Sequence, residues 1–173
     1  SQGTTNPQIT NNQPINFPPV PAATAYRYDF GDCITDTGTE VSHIYTVPGT
    51  YQVTRTLENG ESEPVATINV TAPTTPPPLK ADFRVLTLEK VDTTSQCAEG
   101  KVWTQIDVKD DDIGTSEENM EDGLRVKLDA SISTSPTPIP IDRYDWYFGS
   151  GGSPSYAYGL EVVRRFTRDP YGH

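Results

Sequence analysis

The chain has 173 residues, 34% of them hydrophobic and 9% aromatic, which suffices for one large domain or, more naturally, two small thin-cored β modules. A formal net charge of -11 argues against nucleic acid and anionic membrane as partners, because both would repel such a surface. No apolar run approaches the roughly 18 residues of a membrane span, so direct membrane insertion is not expected. The opening SQGTTNPQ lacks the charged and hydrophobic regions of a leader, so an exported form would already have lost its signal.

Residues 1–12 are polar and aperiodic and read as a linker or the frayed end of an edge strand. Short stretches with a period of two follow at 14–17, 26–30, 40–45, 50–57 and 65–70, each bounded by Gly, Pro, Asp or Asn, as half-buried strands require. Asn59-Gly60 predicts a type I′ hairpin joining 50–57 to 65–70. Pro48-Gly49 predicts a type II turn that delivers Tyr51 and Val53 to the core. The proline-rich segment 72–79 cannot join a sheet ladder and reads as a stiff interdomain linker.

Residues 80–173 repeat this outline. Strands are expected at 81–86, 123–129, 144–149 and 162–166, with an insertion over 89–122 that carries its own strand at 101–108. In YRYDFGDC, residues 26–33, alternation sends Tyr26, Tyr28 and Phe30 to one face and Arg27 and Asp29 to the other. Gly31 then permits a turn, and Asp32 can accept bonds from its amides.

These residues resemble the polycystic-kidney-disease (PKD) domain family. The pattern is Tyr28-Asp29-Phe30-Gly31-Asp32, then His43, Tyr45, Pro48-Gly49, Tyr51 and Val53, and it covers roughly residues 13–71. Residues 80–173 resemble a second, divergent copy through Leu128-Asp129-Ala130-Ser131 and Tyr144-Asp145-Trp146-Tyr147-Phe148-Gly149. In that copy Ser150 stands where the motif has its second Asp, and Arg164 falls near where the first copy has His43. The resemblance implies an all-β chain of two tandem immunoglobulin-like sandwiches, non-catalytic and extracellular or on the cell surface. In such a sandwich Tyr28 and Trp146 are the central aromatics that pin the two sheets together.

The reactive groups fit that reading. Asp29 and Asp32 lie in a turn that gives little means of separating two carboxyl pKa values, and His43 has no nucleophile motif beside it. Packing against the YDFG turn is therefore the expected role of His43. No cofactor is required. Calcium is an option at the acidic cluster Asp110, Asp111, Asp112, Glu117 and Glu118, where the alternative is a solvated loop. The loop before the second central strand keeps only Asp129 and Asp142 of the carboxylates that hold calcium in some members of the family. Cys33 and Cys97 fit no common zinc pattern. A bridge between them would clamp the halves across the linker, and two free thiols or bonds to other chains are equally open.

The second copy ends where its last two strands would begin, so the chain is expected either to continue or to receive strands from a neighbour. The function expected is that of spacer and interaction modules in a larger surface, adhesive or filament-associated protein, with other protein modules as partners. Alternatives are an accessory region of a secreted protease or glycosidase, and a filament subunit. A further option is binding of carbohydrate or protein by Tyr147, Tyr156 and Tyr158 around residues 151–154, unless those rings are buried.

Overall fold

The computed structural model describes residues 7–17, 26–106, 124–136, 140–148 and 155–166. The first half supplies β1 (Gln8–Thr10), β2 (Pro14–Phe17), β3 (Tyr26–Asp29), β4 (Ile34–Gly38), β5 (Val41–Ile44), β6 (Gly49–Thr56) and β7 (Ser62–Thr71). The second supplies β8 (Arg84–Val91), β9 (Lys101–Gln105), β10 (Leu124–Asp129), β11 (Asp145–Phe148), β12 (Ser155–Tyr158) and β13 (Glu161–Phe166). Apart from one 3-10 turn at Ala98–Gly100, the regular structure of the described residues is all strand.

In the first half, β2 and β5 form a two-stranded sheet that packs on β1-β7-β6-β3-β4. Alternation produces the packing. Ala66, Ile68 and Val70 on β7 all face inward, as do Tyr28 and Val53 on their strands. Phe17 on β2 closes the layer, its ring 5.8 Å from both Tyr28 and Phe30. Burying a side chain of this size stabilises by about 2–3 kcal/mol, and this cluster holds the sandwich together.

Two turns differ from the sequence expectation. Gly60 has φ +83 while Asn59 is not among the positive-φ residues, so the β6–β7 loop is not type I′. Gly60 N–H instead bonds Leu57 O and Leu57 N–H bonds Glu61 O, a longer loop with a left-handed glycine beside the strand end. Gly49 does not have positive φ either. It opens β6 in extended form, opposite Val70, so no type II turn forms at Pro48-Gly49.

The proline-rich segment separates the halves in sequence but not in hydrogen bonding. Strand β9 pairs in parallel with β4, Ile34 opposite Trp103 and Thr35 opposite Thr104. A single nine-stranded sheet results, in the order β1-β7-β6-β3-β4-β9-β8-β10-β13. Leu86 of β8 is buried in the first-half core. On β10, Val126 and Leu128 are buried and alternate with Lys127, whose Nζ sits 4.0 Å over the Trp103 ring. The β11–β12 hairpin is a separate two-stranded sheet. Its inner residues Trp146 and Phe148 meet Phe83 and the Arg164 guanidinium. The pairs β10–β13 and β11–β12 are antiparallel, as are β2–β5 and β3–β4.

Candidate functional site at the seam of the two halves

The turn after β3 is built by its own residues. Asp29 Oδ1 accepts from Gly31 N at 3.0 Å and Asp32 Oδ1 from Ile34 N at 3.3 Å. Gly31 takes φ +81, and a Cβ there would lie 2.7 Å from Gln52 O, so this position needs glycine for conformation and for space. Cys33 follows in the left-handed region at φ 69. Its carbonyl accepts from Trp103 N at 3.0 Å, and its sulfur is bonded to Cys97, with the two Cα atoms 5.7 Å apart. Cys97 immediately precedes the 3-10 turn that leads into β9.

Behind this turn lies His43 of β5, 1% exposed. Its ring stacks on Phe30 at 4.0 Å and meets the edge of Tyr45 at 4.7 Å. Nε2 is 2.7 Å from Asp32 Oδ2, and Nδ1 is 2.9 Å from Gln105 Oε1. Gln105 Nε2 donates to Asp36 Oδ2 and to Ser42 O, which fixes the amide with its oxygen toward the histidine. Both ring nitrogens are therefore engaged within the protein, and neither is open to a substrate. Tyr45 donates to Phe30 O at 2.9 Å. Burial, with the Asp32 carboxylate adding to it, pushes its phenol well above the ordinary tyrosine range.

Two further contacts cross the seam. Arg27 Nε donates to Glu89 Oε1 at 2.6 Å, and the Thr35 hydroxyl donates to Glu89 Oε2. Burial pushes the Glu89 carboxyl up, but these bonds outweigh it and hold the group below the usual range. Arg84 donates through Nε to Asp129 Oδ2 at 2.8 Å and through Nη1 to Ile44 O at 3.0 Å. Asp129 is nearly buried, and the nearby Arg84 charge and the Ser131 amide overcome that burial and hold its carboxyl low. It is an ion-pair partner here, with one oxygen on arginine and the other on a backbone amide.

The remaining sequence-selected residues are scattered around this centre. Tyr28 and Phe30 are buried, and Tyr51 is half-buried against Tyr45 at 4.3 Å between centroids. Pro48 is exposed. Trp146 is half-buried and donates Nε1 to Gly159 O, while Phe148 lies under Arg164. Gly149 and the acidic residues Asp110, Asp111, Asp112, Glu117 and Glu118 lie outside the described residues. Sequence reading missed Gln105, Glu89 and Arg84 as seam residues. Their contacts join positions 40 to 62 residues apart, and no local pattern marks them.

Among the described residues, no group of three or more His, Cys, Asp or Glu side chains is placed to hold a metal ion. No helix among them is long and apolar enough to cross a membrane. What the arrangement does chemically is join two halves through one covalent bond, one buried histidine, the Arg27–Glu89 ion pair and the bond from Arg84 to Ile44 O. Neither the curated proteins nor the solved structures contain a match to the chain. Residues 3–72 do match a family model, described as the PKD domain, whose members are generally non-catalytic and typically extracellular interaction or spacer modules. The segment that folds as the first sandwich, its YDFGD turn closed over a buried histidine, is a PKD domain.

Proposed function

We propose that the chain is a non-catalytic spacing and interaction segment of a larger extracellular surface or adhesive protein. The observation that carries this reading is the seam, where a continuous sheet and the Cys33–Cys97 bond join the halves. A spacer transmits position only if its modules do not pivot, and β4–β9 pairing opposes pivoting. The repeated strand pairing supports reading residues 80–173 as a divergent copy of the same module. A disulfide supports an oxidising compartment. The full engagement of His43 and Asp32 supports a structural use of the conspicuous polar residues.

The test is a distance distribution between spin probes attached to ketone-bearing residues introduced at Glu58 and Glu161, both exposed. A single narrow distance is expected for a rigid spacer; a broad distribution ends that reading. Thiol trapping of the protein taken directly from its source should find Cys33 and Cys97 oxidised, and free thiols there would count against an extracellular site.

A filament reading is favoured by one observation. Strand β3 lies between β4 and β6, whereas among the described residues its counterpart β11 pairs with β12 alone. A strand from a neighbouring chain would fill that edge. Sedimentation over a wide concentration range tests this, and a monomer throughout removes it.

A further inference from the structure

We propose that the outer face of the β11–β12 hairpin is a binding site for neutral carbohydrate, with Tyr147, Tyr156 and Tyr158 as stacking rings and Asp142, Arg143 and Asp145 as a hydrogen-bonding rim. The proposal rests on the reading of the chain as an interaction module and names the ligand class of one of its surfaces.

Pairing places the residues. Tyr147 is opposite Tyr156 and Asp145 opposite Tyr158, so alternation puts all four on one face of the hairpin. The other face, with Trp146 and Phe148, is turned toward the protein. The hairpin is thus anchored from behind while its three tyrosines stay 65%, 61% and 64% exposed. Single exposed aromatics need no explanation, but three on one two-stranded ribbon form a contiguous patch outside the core packing of the described residues. The Tyr147 and Tyr156 ring centroids are 5.4 Å apart. Beside them lies an open depression of about 540 Å³ lined by Asp142, Arg143, Tyr144, Tyr158, Gly159 and Leu160. The Arg143 guanidinium lies 5.3 Å from the Tyr158 ring centroid, held there by a 2.6 Å bond from its Nε to Asp145 Oδ1.

Chemistry selects the occupant. A pyranose offers a flat C–H face and a rim of hydroxyls; tyrosine rings take the first, and carboxylate oxygens accept from the second. The guanidinium has further N–H donors for the sugar oxygens. Two carboxylates at the rim and a net charge of -11 oppose anionic glycans, which leaves neutral ones. Proline-rich peptides also use tyrosine-lined surfaces. They bring carbonyl acceptors and few N–H donors, however, so Asp142 and Asp145 would find no partner in them.

The experiment is calorimetric titration of the whole chain with cellohexaose, mannohexaose and the hexamer of N-acetylglucosamine, and separately with a proline-rich decapeptide. At least one hexaose should bind. Tyr158→Ala and Tyr147→Ala should each weaken that binding by roughly three- to tenfold. Tyr158→Phe should keep most of it, because the ring face remains, and Asp142→Asn should weaken it without touching a ring. These residues are exposed, so the variants should melt with the parent, and that melt is recorded alongside. The proposal is overturned if no hexaose binds at millimolar concentration, if both alanine variants bind as the parent does, or if only the peptide binds. None of those results would alter the inter-probe distance that tests the spacer, so the two readings fall separately.

Discussion

Removing the Cys33–Cys97 bond is the most direct perturbation of the seam. The bond spans a sequence separation of 64, and the chain-entropy relation for a loop of that size gives a stabilisation of about 4 kcal/mol. Cys33 also occupies φ 69, where a residue with a Cβ costs about 1 kcal/mol relative to glycine. Two double variants separate the terms. Cys33→Ala with Cys97→Ala should lose about 4 kcal/mol, the full cross-link contribution. Cys33→Gly with Cys97→Ala should recover about 1 kcal/mol of that, because glycine adopts the left-handed turn without strain. Urea denaturation followed by tryptophan fluorescence reports on both regions, with Trp103 at the seam and Trp146 in the hairpin. A loss below about 1 kcal/mol in the alanine pair would mean that sheet pairing holds the seam without the bond, and would refute the loop argument. Equal stability of the two pairs would refute the strain at Cys33.

Three other outcomes are expected. Gly31→Ala should cost about 1–3 kcal/mol in a denaturation curve, since it forces a Cβ against Gln52 O at positive φ; a neutral result would mean the turn relaxes freely. His43→Phe and Gln105→Leu, combined in a double-mutant cycle, should show a coupling of about 1 kcal/mol across the seam, whereas strict additivity would deny that the two side chains act together. Asp129 and Glu89 carry folded-state values below the ordinary carboxylate range, so the stability they add is present at neutral pH and lost as pH falls through those depressed values. Urea midpoints should therefore drop below about pH 4, and Asp129→Asn should flatten the drop; parallel curves for parent and variant would contradict the assignment.

Strand content was legible wherever large apolar residues alternate with polar ones. Val65-Ala66-Thr67-Ile68-Asn69-Val70 shows this, and so does the YRYDF run whose Tyr28 and Phe30 are the buried ones. Strand β4 was not legible, because in Ile34-Thr35-Asp36-Thr37-Gly38 the residue buried next to Ile34 is a threonine, satisfied by Glu89 and Trp103 O from the other half. Strand β12 alternates two small residues with two exposed tyrosines, so its large side chains do not mark a buried face. The two turn assignments went wrong because Asn-Gly and Pro-Gly signal a reversal but do not choose among turn types, which strand register decides. At the site, the turn and the place of His43 were readable from adjacent residues. Of the seam, only the Cys33–Cys97 bridge was among the readings the sequence left open; the rest depends on β9 docking against β4, a pairing that no local sequence pattern encodes.

The left-handed turn at Cys33 has a mechanical consequence. A pull applied to the two ends of the chain enters at Cys33 and leaves at Cys97 through a covalent link, so residues 34–96 are bypassed by the load. The greater part of the first sandwich, β4 to β7, together with β8, lies within that shielded length. Under tension the chain would yield at its outer strands while most of the PKD fold stayed slack, and reduction of one bond would release the shielded length as extensible chain.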